Sequence, residues 1–332
     1  MSISAATAHF FPATPKGKMM IFISEAESAA LISYELAYDA IREALLAASK
    51  PEARSFPVVH GQGSDAGNTF SIKASATREL AGLKVGSFWP GNPANGLPRH
   101  NSLILLFDQQ IGKIAAAIEA GKVNAFRTAA ADAVAADLLA RPDSSVLAVF
   151  GTGHQARYEC AALARIRPIR TVLIVGRDSR KSAEMAQEFD AAGLDAQVSD
   201  AETACRAADI IVTATPSRAP LFNAEWVKAG THVVSMGSDA TGKQELPPEL
   251  FTAGRLFCDL PSQSRAIGEF QHAPAQVALT AIGDVINASA AGRQTPDDIT
   301  IFDSSGLSIQ DLYIGQRILA AWQTAKQNGG IQ

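Results

Sequence analysis

Apolar and polar positions fall into two textures along this chain: short alternating runs first, then a regular exchange of strand-like and helix-like segments. Residues 21–23 are a strand-like apolar run, and Ser24 with Glu27 makes a capping-box pattern ahead of a helix over 25–48. Its apolar positions are Leu31, Leu36, Ile41 and Leu45, and Pro51 stops it. Strand-like runs follow at 56–59, 69–74, 82–88 and 102–107. The glycine-rich stretch 61–68 is followed by no helical pattern, so it reads as a hairpin connection and not a phosphate loop. Residues 89–101, WPGNPANGLPRHN, form a turn-rich loop of the kind that often carries function. A turn at 108–112 and a strand at 115–118 complete this texture.

After Gly121 an alanine-rich helix runs up to Pro142. Strands are then expected at 146–150, 171–175, 196–199, 210–214, 231–236, 255–259 and 299–302, with helices between the earlier ones and a last helix over 308–327. That order predicts an α/β chain: a Rossmann-type doubly wound parallel sheet, preceded by an antiparallel α+β region of roughly 120 residues.

The first strand of the alternating part runs into Gly151-Thr152-Gly153-His154-Gln155-Ala156 and then a helix. This is the strand–turn–helix setting that a G-x-G-x-x-G/A motif requires. Gly151 suits the tight turn, Gly153 lets backbone approach a pyrophosphate, and Ala156 packs the helix on the sheet. The helix start adds free N–H groups and positive dipole. At the end of the next strand Gly176 stands where an NAD enzyme usually places an acid, with Arg177, Arg180 and Lys181 close by. A guanidinium there suits a 2′-phosphate, so NADPH is expected ahead of NADH, with Asp178 the alternative ribose partner.

The nicotinamide end of such a site lies beyond the strand ends, which nominates Thr213, Thr215, Met236, Gly237, Asp239 and Ser304. Asp239 follows an apolar strand closely, so partial desolvation is expected to raise its pKa and suit it to proton transfer. Arg54, Lys73, Lys84 and Arg127 lie in or beside strands or at a helix start, a set compatible with an anion pocket for carboxylates. Alternation places Lys73 and Lys84 on the faces opposite their apolar neighbours without saying whether those faces meet solvent or a cleft.

The stretches LKVGSFWPGNPANGLP, AFRTAAADAVAADLLAR, FGTGHQA, DIIVTATPS, MGSDATGKQEL and FDSSGL, in this order, resemble the ornithine cyclodeaminase/μ-crystallin family over about residues 21–323. The resemblance implies a discontinuous substrate-binding and dimerisation domain, residues 1–125 with 307–332, around an NAD(P)-binding Rossmann domain, residues 126–306. It implies that Lys84, Arg127 and Arg54 grip a substrate α-carboxylate, that Asp239 is the catalytic aspartate, and that Gly151, Gly153 and Gln155 hold the pyrophosphate. It also implies hydride transfer between the nicotinamide and the α-carbon of an amino or imino acid, in a homodimer. Ornithine-processing members carry an acid on the strand before the LK lysine. Here Ser71 and Lys73 stand there, which points away from ornithine and toward a second carboxylate. The expected reaction is therefore NAD(P)H-dependent reduction of a small 2-imino acid, iminosuccinate to L-aspartate first. Δ1-Pyrroline-2-carboxylate reduction, ornithine cyclodeamination, alanine dehydrogenation and a non-enzymatic crystallin-like role are the alternatives.

Composition narrows the rest. Over 332 residues, a net charge of −4 with 47% hydrophobic residues argues against nucleic acid as the main partner and for a large buried core. The six histidines show no metal-ligand spacing, and Cys160, Cys205 and Cys258 stand singly in apolar contexts, as reduced core thiols do. With no membrane-length apolar run and no signal-peptide pattern at residues 1–18, a cytoplasmic enzyme is expected.

Overall fold

The computed structural model describes residues 19–329; the expectations made for residues 1–18 lie outside them. Strand β1 (Ile21–Ile23) leads to helix α1 (Glu25–Leu31) through the capping box, with Ser24 and Glu27 each accepting the other's backbone N–H. The expected single helix over 25–48 is two. Ile32 is extended at ψ 136°, and Ser33 then caps a second helix, α2 (Tyr34–Ala48), accepting from Leu36 N at 3.1 Å. A serine that competes for a free helix N–H starts a new helix where apolar spacing alone would continue the old one.

The strand expected at 56–59 is not found there; residues 56–58 are unpaired as strand and lie between β2 (Arg54–Ser55) and β3 (Val59–Gln62). Phe56 N makes the last bond, to Ala74 O at 3.1 Å, and Pro57 has no N–H to extend the ladder. Strands β4 (Thr69–Ala76), β5 (Ala81–Phe88), β6 (His100–Asp108) and β7 (Lys113–Glu119) complete a seven-stranded sheet. Its order is β1-β7-β6-β5-β4-β2 with β3 also on β4, antiparallel except for β1 beside β7.

Helix α3 (Gly121–Leu139) then packs against α2 on one side and against the later helix α4 (His154–Ile166) on the other. Its alanines, buried nearly all round, let both neighbours approach closely. From there the expected alternation holds, with β8 (Val146–Phe150), α4, β9 (Thr171–Val175), α5 (Ser179–Ala191), β10 (Asp195–Val198), α6 (Ala201–Ala207), β11 (Ile210–Thr213) and β12 (His232–Ser235). Next come α7 (Leu250–Ala253), β13 (Arg255–Cys258), α8 (Pro261–Ile267), β14 (Leu279–Ala281), α9 (Ile282–Ile286) and β15 (Thr300–Asp303). Strand β14, three residues long, is too short to show in the sequence pattern. These strands form one parallel sheet in the order β10-β9-β8-β11-β12-β15-β13-β14. The direction of winding reverses between β8 and β11, the switch point at which open α/β sheets bind ligands.

The last helix, α10 (Ser308–Gln327), leaves this sheet and crosses back over β4, β5 and β6 of the first, against α2. Gly82 of β5 is required beneath it, because a Cβ there would lie 2.1 Å from Leu105 O and 2.9 Å from Leu312 Cδ2. One continuous apolar core joins the sheets, from Ile23 and Ile104 through α3 to Val149 and Phe302. The three cysteines are buried and unbridged, and no helix of the described residues is long and apolar enough to cross a membrane. Because Ser33 caps α2 through a single side-chain bond, Ser33→Ala should lower stability by about 1 kcal/mol, measured as a fall in the urea midpoint at unchanged m-value.

Candidate active site

At the switch point, Gly151 has φ +117°, and a Cβ on it would fall 2.6 Å from Ala214 O of the neighbouring strand end. Glycine is needed there for both conformation and contact. Gly153 is different: a Cβ on it would meet nothing within 4 Å, so the turn leaves open space in front of the first N–H groups of α4. A glycine facing empty space at a helix start fits the approach of a pyrophosphate. Ala156 is fully buried behind it. The His154 ring lies tilted against Tyr158, with centroids 4.8 Å apart. The Gln155 side chain turns inward, donating to Ala125 O at 3.1 Å and Glu159 Oε1 at 2.7 Å, so its amide is not offered to the cradle.

The residues after β9 complete this half. A Cβ at Gly176 would come 2.5 Å from Ser182 Oγ and 2.6 Å from Thr152 Cγ2, so no side chain fits there. Asp178 is the N-cap of α5, accepting from Arg180 N and Lys181 N. Arg177 is exposed and forms no ion pair among the described residues.

The first sheet faces this cradle with its cations. Lys73 and Lys84 are directly paired across β4 and β5 and therefore share a face. That face is covered by α10, and Lys84 is 5% exposed. Lys84 Nζ donates to Asn124 Oδ1 at 2.8 Å and Asp311 Oδ1 at 2.9 Å. Arg127 joins the same two oxygens, donating from Nη2 to Asn124 Oδ1 at 2.8 Å and placing Nε 3.1 Å from Asp311 Oδ1. Gln310 Oε1 accepts from Arg127 Nη1 at 3.3 Å, while its buried Nε2 has no partner among the described residues. Burial and the neighbouring Arg127 push the Lys84 ammonium down to about 7 despite Asp311.

Lys73 reaches across to the other unit, donating to Gly306 O at 2.9 Å and Ser305 O at 3.4 Å. Arg127 and Lys73 both border Gly306. Three of the four expected cations thus converge. Arg54 stands exposed on edge strand β2, opposite Ala76, lining an open pocket with Phe56, Leu260 and Ile309.

Asp239 closes the cleft from the cofactor side. Its carboxylate is paired with Lys243 and about half exposed, and Lys73 and His100 feel its charge across the gap. The expected raised pKa is not found. Partial burial pushes the carboxyl up, but Lys243 and then Lys73 outweigh it, so Asp239 titrates below its ordinary range and is ionised near neutrality.

Several functional positions were not singled out in the sequence. Asp311 and Asn124 hold the cation pair; each lies in a helix, where a polar residue reads as a solvated face. Asp132 and Glu159 are fully buried between α3 and α4. Among the described residues neither Asp132 oxygen nor Glu159 Oε2 makes a hydrogen bond of full geometry, with Ser304 close to Asp132, and the two carboxyls can bond to each other only by sharing a proton. Burial raises both, Glu159 to about 7. Ser304, one of the strand-end candidates, is buried beside them. An acid set among alanines at 129–136 was the available sign. Thr213, Thr215 and Gly237 do lie at strand ends, and all three bond to the buried Glu245; Met236, half-buried, directly follows β12 and precedes Gly237.

A parallel sheet opening its switch point on a glycine cradle, faced by a second sheet that presents buried cations, defines a dinucleotide-binding type of α/β protein with an anion pocket. The chain belongs to the ornithine cyclodeaminase/mu-crystallin family, whose sequence model matches residues 17–326. It is 34% identical to the iminosuccinate reductase of Paracoccus denitrificans (strain Pd 1222), covering 94% of this chain and 99% of that one. It is 31% identical to a Δ1-pyrroline-2-carboxylate reductase of the same organism, over 90% of this chain and 95% of the relative. The crystal structure of the P. denitrificans iminosuccinate reductase in complex with NAD+ matches with a TM-score of 0.85 at 33% identity, covering 94% of this chain and 98% of that one. An archaeal alanine dehydrogenase dimer with bound NAD matches at 0.86 and 32% identity, covering 92% and 97%.

The buried Glu159 gives a pH signature. Its folded value of about 7 lies above its ordinary 4.5, so its contribution to stability is full below 4.5 and is lost as pH rises through 7. Glu159→Gln keeps an acceptor for Gln155 and carries no charge. Its Tm relative to the unmodified chain should therefore rise by a few degrees between pH 5 and pH 8; a constant difference across that range rejects the buried-charge account.

Proposed function

We propose that this protein is an NAD(P)H-dependent imine reductase that converts iminosuccinate to L-aspartate. The observation that carries the reading is the convergence of Lys73, Lys84 and Arg127, with hydroxyls and no acid on the neighbouring strand positions of the same face; Asp311, from α10, is committed to Lys84 and Arg127. By register Ser71, Gly86 and Ser102 lie beside one another there, with both hydroxyl oxygens within 4 Å of where a Gly86 Cβ would be. Such a surface suits a dicarboxylate better than a distal amine. The likeness to the Paracoccus iminosuccinate reductase supports it.

Gly151, Thr152, Gly153 and the first N–H groups of α4 would hold the pyrophosphate, and the open space at Gly153 fits it. When bound, the nicotinamide supplies the hydride. The chain's own residues do the rest. Lys84 and Arg127 grip the α-carboxylate, with Gln310 Nε2 as a further donor. Lys73 spends two bonds on the 305–306 backbone and keeps a proton for the second carboxylate. An ionised Asp239 holds the positively charged imine nitrogen in place and retains the proton on it.

The test is oxidation of NADH and NADPH with oxaloacetate, with and without ammonia, against pyruvate plus ammonia and Δ1-pyrroline-2-carboxylate. Turnover with oxaloacetate only when ammonia is present is expected, and Asp239→Asn should reduce its kcat at least about 100-fold. Turnover confined to the cyclic imine rejects the dicarboxylate reading.

For the cofactor, the residues of this chain support NADPH. Gly176 excludes an acid, Asp178 is committed to capping α5, and Arg177 is left to meet a 2′-phosphate. Arg177→Ala should lower kcat/KM for NADPH about tenfold and leave NADH within about twofold. Equal effects on both would make the arginine a bystander.

A further inference from the structure

Glu245 is fully buried in the loop that follows β12, and its carboxylate collects five hydrogen bonds. Oε1 accepts from Thr215 N and Thr215 Oγ1, each at 2.7 Å. Oε2 accepts from Thr213 Oγ1 at 2.9 Å, Gly237 N at 2.8 Å and Ser235 Oγ at 3.1 Å. One side chain thus ties the end of β11 to the end of β12. The tie is close enough that a Cβ on Gly237 would fall 2.1 Å from Thr215 O and 2.7 Å from the Glu245 carboxyl.

Glu245 is itself held. Glu269, also fully buried, accepts from Glu245 N at 3.0 Å and from Leu246 N at 2.8 Å, and its Oε2 lies 3.2 Å from Ser235 Oγ. Two buried carboxyls in contact with one serine hydroxyl is an expensive way to finish two strands, since charge in an apolar interior costs free energy even when well bonded. What the expense secures is the placement of two turns, 213–215 and 235–237. The first lies directly against Gly151 at the switch point, because Ala214 O is the atom that forbids a side chain on Gly151, and the second lies against the first, where Gly237 meets Thr215 O. In an open parallel sheet, these strand ends carry the half of a dinucleotide that lies away from the first βα turn.

We infer that Glu245 is the positioning residue of the hydride-transfer site: its carboxylate fixes the two strand-end turns against which the nicotinamide half of the cofactor rests. The assignment builds on the dinucleotide reading of the site. It separates two halves of one binding surface. The adenosine half depends on the Gly151–Gly153 turn and the end of β9, and the nicotinamide half depends on Glu245.

Glu245→Gln tests it without changing size. Whichever way the amide lies, an NH2 group faces the backbone N–H of Thr215 or of Gly237. Binding is measured calorimetrically for NADH and NADPH, and separately for ADP-ribose and its 2′-phosphate, which lack the nicotinamide. The expected result is a rise of at least about tenfold in Kd for the dinucleotides with the half-molecules unchanged within about twofold. Unchanged dinucleotide binding overturns the assignment, as does an equal loss for dinucleotide and half-molecule, which would mark general damage. If Glu245→Gln does not fold, Thr213→Val removes one of the five bonds at constant shape. It should raise the dinucleotide Kd about threefold, and no change would overturn the assignment equally. An unmodified chain that binds neither dinucleotide overturns the cofactor reading and this inference together.

Discussion

The structure depends on one buried carboxylate, Asp311, between two buried cations. Lys84 and Arg127 leave water on different elements, a strand of the first sheet and the start of α3, and meet on the same Asp311 oxygen. Taking three charges out of water is costly, and their mutual attraction offsets that cost only with good geometry and further hydrogen bonds. Asn124 provides them, accepting from both cations one turn before Arg127. Two positive groups facing one negative group leave the pocket biased toward an anion, the property a carboxylate substrate needs.

Chain topology follows from that meeting. Asp311 has to be delivered by α10, which is why the chain leaves the parallel sheet at β15 and returns across β4, β5 and β6. Lys73 fastens the point of departure by donating to Gly306 O, and Asp259 fastens it from the other side, accepting from Gly306 N at 2.6 Å and Ser305 Oγ at 2.7 Å. Helix α3 is the common wall. It carries Asn124 and Arg127 at its start and Asp132 farther along, against the cofactor unit. Small side chains let it serve both sheets at once.

Much of this was legible from residue order. Strand–helix alternation gave the parallel sheet, and the setting of Gly151 and Gly153 between strand and helix gave the cradle. Alternation puts Lys73 and Lys84 opposite their apolar neighbours, but only the packing of α10 shows that this face is buried. The errors have physical causes. Apolar spacing carries straight through Ser33, and only its side-chain bond to Leu36 N divides the helix. Pro57 breaks a strand that composition alone would continue. The strand context of Asp239 implies burial and a raised pKa, but the lysines that reverse the shift come from position 243 and from another sheet. Gln155 matches a motif position, yet its amide is drawn inward by Glu159, an acid buried through a helix–helix contact that no local pattern shows. Asp311, Glu245 and Glu269 were overlooked for the same reason: each is meaningful only through partners distant in sequence.

The depressed Lys84 carries a consequence for energetics beyond recognition. With its value near 7, the free side chain is only partly charged in neutral solution, held there by burial and by Arg127. If a carboxylate binds beside it as proposed, the ammonium becomes the favoured form and binding would draw in a fraction of a proton from the medium. That uptake is largest just above neutrality and vanishes in acid, where Lys84 is already charged. The heat of that binding would then include the ionisation heat of whatever buffer gives up the proton.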